Sequence, residues 1–401
     1  MTDLYDAATI HRLNWPATPE GDEARRWLLP FFEQGPLAFI ANAHTDLRLL
    51  RVDDVLLPVT VTRYHPHNSY VCSPYNHYFA YGEEELDKLG RPRLAAMLRR
   101  LLRPVAGWFL RHGFDEAVLV NNWLLSTNLY PALSAAQAQA ATRFLAAEFP
   151  GRPIVWRSVD GQGNPRLLRA LVDAGCELVF SRQVYYQNPA DAALWRRKQI
   201  KVDQSLARRS PYRRVAGSGI ALADAPRLAA LYRLLYLDKY SGFNPQFTDD
   251  FFRLALQNRL LTVYAYRAAG RGDRGVAPLN APTQPGVTCQ KSGDIDAVLG
   301  YFSRNGIMTQ PVFGYDTGKP QKLGLYRLLS LHVLEEGRRL GLRVNASGGV
   351  GEFKRLRGGI ATLEYNAVYQ RHLPPARQRP WRLLKRLLDA VAVPVIQKYG
   401  F

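Results

Sequence analysis

The chain has 401 residues, 47% of them hydrophobic, and a formal net charge of +19. That length and apolar content allow two or three domains with full cores, and no run approaches the ~20 apolar residues that a membrane-spanning helix needs. The three cysteines, Cys72, Cys176 and Cys289, are odd in number and widely spaced; they match no zinc pattern and no disulfide framework, so no metal site is expected. No basic segment precedes an apolar one at the N-terminus, so a cytoplasmic, reducing setting is expected.

In the first half, 37–42 and 55–64 read as β-rich runs, and 95–111 is a helix with apolar residues at helical spacing. A buried strand is expected at 116–124, then a helix over 134–149 with Ser134 as its cap. Strand 153–159, helix 164–174 ended by Gly175, and strand 177–186 complete the series. Between them, the stretch 65–81 is dense in His, Tyr and Asn, residue types that line polar pockets. Tyr75, Asn76 and His77 are its candidate acceptor-binding residues. His65, His67, Cys72 and His77 do not have the spacing of a zinc site.

The second half repeats the order. Helices are expected at 224–239 and 248–258, and strands at 261–268, 296–302 and 306–315. A helix beginning near Gln321 and closed by Gly341, a strand at 342–346, a short helical segment at 352–357 and a strand at 362–369 follow. The segment 268–293, rich in Gly and Pro, reads as an insertion between two paired strands. The stretch 381–398 reads as a basic, apolar-faced helix, either packed on its own domain or with the composition of a membrane-surface element that makes peripheral membrane contact. Two alternating series imply an α/β fold in tandem domains, with expected boundaries at 1–190, 191–375 and a C-terminal helix 376–401.

Charge divides the same way. Residues 1–190 hold 19 Lys and Arg against 19 Asp and Glu, whereas 191–401 hold 34 against 15. The cationic run Arg196, Arg197, Lys198, Lys201, Arg208, Arg209, Arg213 and Arg214 opens this second half. A one-sided positive field concentrates anionic partners such as coenzyme A, an acyl carrier protein, RNA or anionic lipid. DNA is not expected among them.

The stretch from Phe313 to Gly359 carries the most specific signal. A strand ending at Tyr315, a loop with Gly318 and Pro320, and a helix start make a phosphate-holding arrangement, because unpaired backbone N–H groups point outward there. Gly324, read as lying in the first helical turn, needs a packing or contact reason. Gln321-Lys322-Leu323-Gly324-Leu325-Tyr326 resembles the pyrophosphate-binding turn of the GNAT acyltransferases, Gln/Arg-x-x-Gly-x-Gly/Ala, with Tyr326 in place of a small residue. Ser347-Gly348-Gly349 and Phe353-Lys354 followed by Gly358 resemble the tandem-domain, Fem-like branch of that superfamily.

The resemblance implies two GNAT-like domains, each a mixed central sheet flanked by helices, and direct acyl transfer to a small-molecule amine. It implies no permanently bound cofactor, with acyl-CoA or another acyl donor as cosubstrate. Lys319, Gln321, Lys322, Gly324, Tyr326, Asn345 and Ser347 would then bind the donor. Lys354 would stabilise the developing oxyanion, Asp238 or Glu352 would take the amine proton, and Tyr240 would join the acceptor site. Acyl-CoA, acyl carrier protein and aminoacyl-tRNA all fit as donors. A non-catalytic binding module on the same scaffold is the alternative from a different class.

Overall fold

The computed structural model describes residues 1–87, 92–268 and 294–399. They divide into two compact units: Met1–Val184 with Ser241–Gln246 and Thr362–Phe401, and Tyr185–Tyr240 with Phe247–Ala361. The division departs from expected boundaries at 190 and 375, because strand 362–369 and the C-terminal helix belong with the N-terminal residues. Both units are α/β, each a mixed sheet flanked by helices.

The strands among the described residues are β1 (Thr2–Tyr5), β2 (Asp46–Val52), β3 (Val55–Val61), β4 (Val118–Val120), β5 (Ile154–Asp160) and β6 (Glu177–Gln187). They continue with β7 (Tyr212–Ala216), β8 (Thr262–Ala268), β9 (Ile295–Arg304), β10 (Ile307–Tyr315), β11 (Arg343–Asn345) and β12 (Ile360–Tyr369). In the first unit the order is β1-β2-β3-β4-β5-β12-β6. Its β4 and β5 run parallel, while β3–β4 and β5–β12 are antiparallel. In the second unit the order is β6-β11-β10-β9-β8-β7, with β10 and β11 parallel and the other pairs antiparallel.

A parallel pair needs a crossover, and in both units a helix supplies it. Ala135–Glu148 joins β4 to β5, and Leu325–Leu340 joins β10 to β11. The first crossover starts at Ser134, whose side chain accepts from the Gln137 N–H while Gln137 reaches back, a full capping box. Its Ala138, Ala141 and Leu145 pack on Val118, Val120 and Trp156. In the second unit Leu328, Leu329 and Val333 do the same against Leu299, Met308 and Val344. Each such Leu or Val side chain, fully buried, contributes about 1.5–3 kcal/mol.

Several elements differ from the expected ones. The run 37–42 holds a short helix, Pro36–Phe39, because Pro36 presets helical φ after Gly35 at φ 80°. The strand expected over 116–124 shrinks to Val118–Val120, since Asn121 and Leu124 adopt φ of 55° and 61°. The helix expected from Gln321 begins at Leu325, after a single 3₁₀ turn over Gln321–Leu323. The basic helix is Pro375–Leu387, and its Trp381 and Leu384 are buried against Phe109 and Phe114 in the first unit. Sequence reading missed β1, β2, β7 and the helix Pro19–Gln34. The expected insertion over 268–293 and Cys289 lie outside the described residues, apart from Ala268, the last residue of β8. No described helix is long and apolar enough to cross a membrane.

Candidate functional site

In the second unit β10 and β11 pair over only three positions, Ile307 with Arg343 through Thr309 with Asn345. Beyond them β10 bulges between Thr309 and Val312, and runs on to Tyr315. β11 stops at Asn345 and gives way to a loop with Ser347, Gly349 and Val350 at positive φ. The two parallel strands therefore part at their carboxyl ends, where ligands of open α/β sheets commonly lie.

The turn after β10 lies at that same end. Asp316 accepts from the Gly318 N–H and pairs with Arg227 at 2.9 Å. Burial would raise its carboxyl, but Arg227 and the Gly318 N–H outweigh it and hold the carboxyl below the usual range. Gly324 is the helix N-cap at φ 62°, not a first-turn residue, and it offers no side chain to the helix end. A Cβ there would also lie 2.4 Å from Leu206 Cδ2, so packing and backbone both account for the glycine. The first intrahelical bond runs from the Leu328 N–H to the Gly324 carbonyl, leaving the preceding N–H groups of Leu325–Arg327 without helical partners. Gln321 and Lys322 are exposed beside them. Lys319 is tied at 3.1 Å to Asp296, a buried carboxylate that also accepts from Tyr212. Tyr326 packs its ring on Phe313 and Phe353, at 5.1 and 5.0 Å between centroids, and burial pushes its hydroxyl upward.

Lys354 is buried, and its ammonium donates to the carbonyls of Ser347 at 3.1 Å and Gly348 at 2.6 Å, over the Tyr185 ring. Asn345 donates to the Tyr186 hydroxyl and accepts from the Ser347 N–H, both at 2.9 Å. The polar atoms expected to bind the donor here thus hold the loop in place. Behind them Asp203, buried, takes two bonds from Arg357 at 2.6 and 3.2 Å and one from Arg327 at 2.6 Å. Glu352 and Asp238, the expected bases, are both exposed. Tyr240 is half-buried, 6.3 Å from Tyr236 between ring centroids, with its hydroxyl raised by burial and by Tyr315. The structure groups Tyr240 electrostatically with Tyr315 and Tyr326.

The first unit contains a separate polar pocket. Its lining includes Tyr70, His77, Arg157, Ser158, Ser181, Arg182, Glu364 and Asn366. Glu364, buried, accepts from Arg182 Nε at 2.8 Å and Nη2 at 3.3 Å. Arg182 also donates to the Ser126 carbonyl at 2.6 Å and Thr127 Oγ1 at 2.9 Å. His77 lies 3.1 Å from Ser181 Oγ, and burial, with Arg157 and Arg182 nearby, lowers its pKa to about 3, so the ring is neutral. Of the other expected acceptor residues, Asn76 holds the carbonyls of His65 and Asn68, and the Tyr75 N–H donates to Asp115. Burial pushes Cys72 up to about 12, which removes thiolate chemistry at neutral pH.

Sequence reading missed Arg157, Arg182 and Glu364. The available signal was charge inside runs otherwise suited to buried strands: every residue of β5, Arg157 included, is buried. Among the described residues no group of three or more His, Cys, Asp or Glu is placed to hold a metal ion.

No protein-family profile matches the chain, and no curated protein matches it. Solved structures do. L-PGS from Bacillus licheniformis has 12% identity and a TM-score of 0.41, covering 63% of this chain and 79% of that one. FemX has 8% identity and a TM-score of 0.42, covering 63% and 81%. A conserved protein of Enterococcus faecalis V583, described as a probable N-acyltransferase, has 10% identity and a TM-score of 0.33, covering 93% and 73%.

Proposed function

We propose that the chain is an N-acyltransferase built from two GNAT-like domains, with the donor held by the second unit. The observation that carries this reading is the parting of β10 and β11 beside a helix whose N-cap is Gly324. An acyl thioester threaded between parted parallel strands keeps its phosphates at the helix start and presents its carbonyl to an amine. Lys322 adds positive charge at that start. Lys354 brings a fixed positive charge to the loop 346–350 and holds it rigid, so that charge and backbone N–H groups face a developing oxyanion without reorganising. Because Asp238 and Glu352 are exposed, the amine proton leaves through one of these carboxylates or directly to water.

Acyl-CoA is the donor that the turn favours. The test is release of free thiol from acetyl-CoA in the presence of an amine panel, together with a thermal melt in millimolar coenzyme A. A midpoint raised by coenzyme A and amine-dependent thiol release are expected. Neither appearing would sink the acyl-CoA reading. The excess of 34 cationic over 15 anionic residues in 191–401 favours a second reading, transfer from aminoacyl-tRNA or an acidic acyl carrier protein. Aminoacyl transfer falling steeply with salt would mark the tRNA donor.

A further inference from the structure

We infer that the C-terminal helices form a docking surface for an anionic membrane, with Leu383, Leu387, Val391 and Val395 turned toward the lipid. This does not rest on the transferase reading. The helix Pro375–Leu387 continues through a π turn, Leu388–Ala392, into Val393–Tyr399. Its inner face is occupied. Trp381 and Leu384 are 1% and 5% exposed, packed with Phe109 and Phe114. Its outer face is open: Leu383, Leu387, Val391 and Val395 are 39%, 47%, 62% and 41% exposed. The inner contacts fix the rotation of the helix, so the outer row cannot turn into the core.

The π turn keeps that row straight. In an α-helix each four-residue step overshoots a full turn by about 40°, so the row would wind around the axis. The looser winding of Leu388–Ala392 takes back this drift between Leu387 and Val391.

Charge flanks the row. Arg382 is bonded to Glu177 at 3.2 Å, and Lys385 pairs with Asp389. Arg379 and Arg386 are exposed, with no ion pair among the described residues. They stand four residues before and three after Leu383, which makes both its neighbours on the helix surface. An aliphatic row edged by unpaired guanidiniums matches an anionic bilayer. The acyl layer takes the row and the headgroup phosphates take the arginines, whose stems span the difference in depth. A nucleic acid would use the cations but offers the aliphatic row nothing to enter. A second copy of the chain would add the same unpaired arginines and no counter-charge from these helices. Four aliphatic side chains also fall far short of the roughly 800 Å² per partner that a stable interface buries.

The experiment is co-sedimentation of the full chain with vesicles of phosphatidylglycerol and phosphatidylcholine in equal parts, against phosphatidylcholine alone, at low and physiological salt. Binding to the mixed vesicles is expected, weaker by about tenfold or more on the neutral ones. Leu387→Glu should abolish it and leave the thermal midpoint close to wild type, because the position faces outward. Arg379→Gln combined with Arg386→Gln should weaken binding about tenfold or more at low salt and flatten its fall with salt. Equal binding to neutral vesicles, or a Leu387→Glu chain that binds as wild type does, overturns the assignment. So does a chain that binds no vesicle, and a wild-type dimer that Leu387→Glu dissociates would then make the row a self-interface. If Leu387→Glu does not fold, the double arginine variant decides, and binding equal to wild type at low salt sinks the surface.

Discussion

The Lys354 ammonium lies 2.6 Å from the Gly348 carbonyl oxygen and bonds Ser347 as well, so the lysine and its own preceding loop form a closed clasp. Lys354→Met keeps the stem on Tyr185 but leaves two carbonyls without their charged donor. A loss of about 2–3 kcal/mol in urea unfolding is expected. If stability is unchanged while transfer is lost, the charge acts on the reaction and the clasp is incidental.

Two glycines of the second unit should respond differently to alanine. At Gly324 the new Cβ meets the end of the Leu206 side chain, which can move, at a left-handed φ of 62°. About 1–2 kcal/mol is expected. At Gly314 in β10 the Cβ would meet backbone atoms of Leu231 and Tyr232 at 2.7–2.8 Å, which cannot yield. Gly314→Ala should therefore cost about 3 kcal/mol or more, and denaturant midpoints will rank the two.

Asp115 supplies a pH signature. Burial pushes its carboxyl up to about 7, against the opposing bonds from the Tyr75 N–H and Ser73 hydroxyl. A carboxyl whose folded pKa is raised stabilises most below its unfolded value of 3.8, and that contribution is lost as pH rises through about 7. The stability of wild type relative to Asp115→Asn should fall across this window, by up to about 1.4 kcal/mol per pH unit. Unfolding titrations at pH 4.5 and 7 would check it, and parallel curves would refute the assignment.

Glu364→Gln should cost about 3–5 kcal/mol, because it strands the buried guanidinium of Arg182. Burial alone would lower the Arg182 pKa, yet Glu364 carries it above its ordinary range. Adding Arg182→Met should recover part of the loss, and a double-mutant cycle measures the coupling.

The C-terminal helices keep an apolar stripe exposed, Leu383, Leu387, Val391 and Val395, at four-residue spacing among Arg379, Arg382, Lys385 and Arg386. Flotation with anionic vesicles is expected, weakened by Val391→Glu and absent with neutral lipid.

Elements marked by local chemistry were legible in the sequence. Ser134, Thr248 and Gly341 bound helices where their capping chemistry puts them. The paired strand–helix–strand order was legible for the same reason. What escaped was set by distant partners. Arg182 and Glu364 are 182 residues apart, and Asp203 and Arg357 are 154 apart. Nothing local distinguishes such residues from solvated charge. Gly324 was legible as necessary, but its reason, a left-handed cap against Leu206, required the fold. A resemblance singled out Lys354, but its bonds to Ser347 and Gly348 required coordinates.

The first unit takes its residues from three separate stretches of chain, and β12 is its last strand. β12 pairs with β5 from Ile154 to Asp160, and Glu364 on it is the sole counter-charge of Arg182 among the described residues. The segment 241–246 likewise closes this unit, with the Tyr70 N–H bonded to the Phe243 carbonyl and the Ala41 N–H to that of Gln246. A growing polypeptide therefore cannot complete its N-terminal half until the whole of the other unit has left the ribosome. At ~5–20 residues per second that is a wait on the order of ten to thirty seconds. Over that interval the edge of β5 is bare and Arg182 on β6 lacks its counter-charge. It also means that no single cut yields two stable halves.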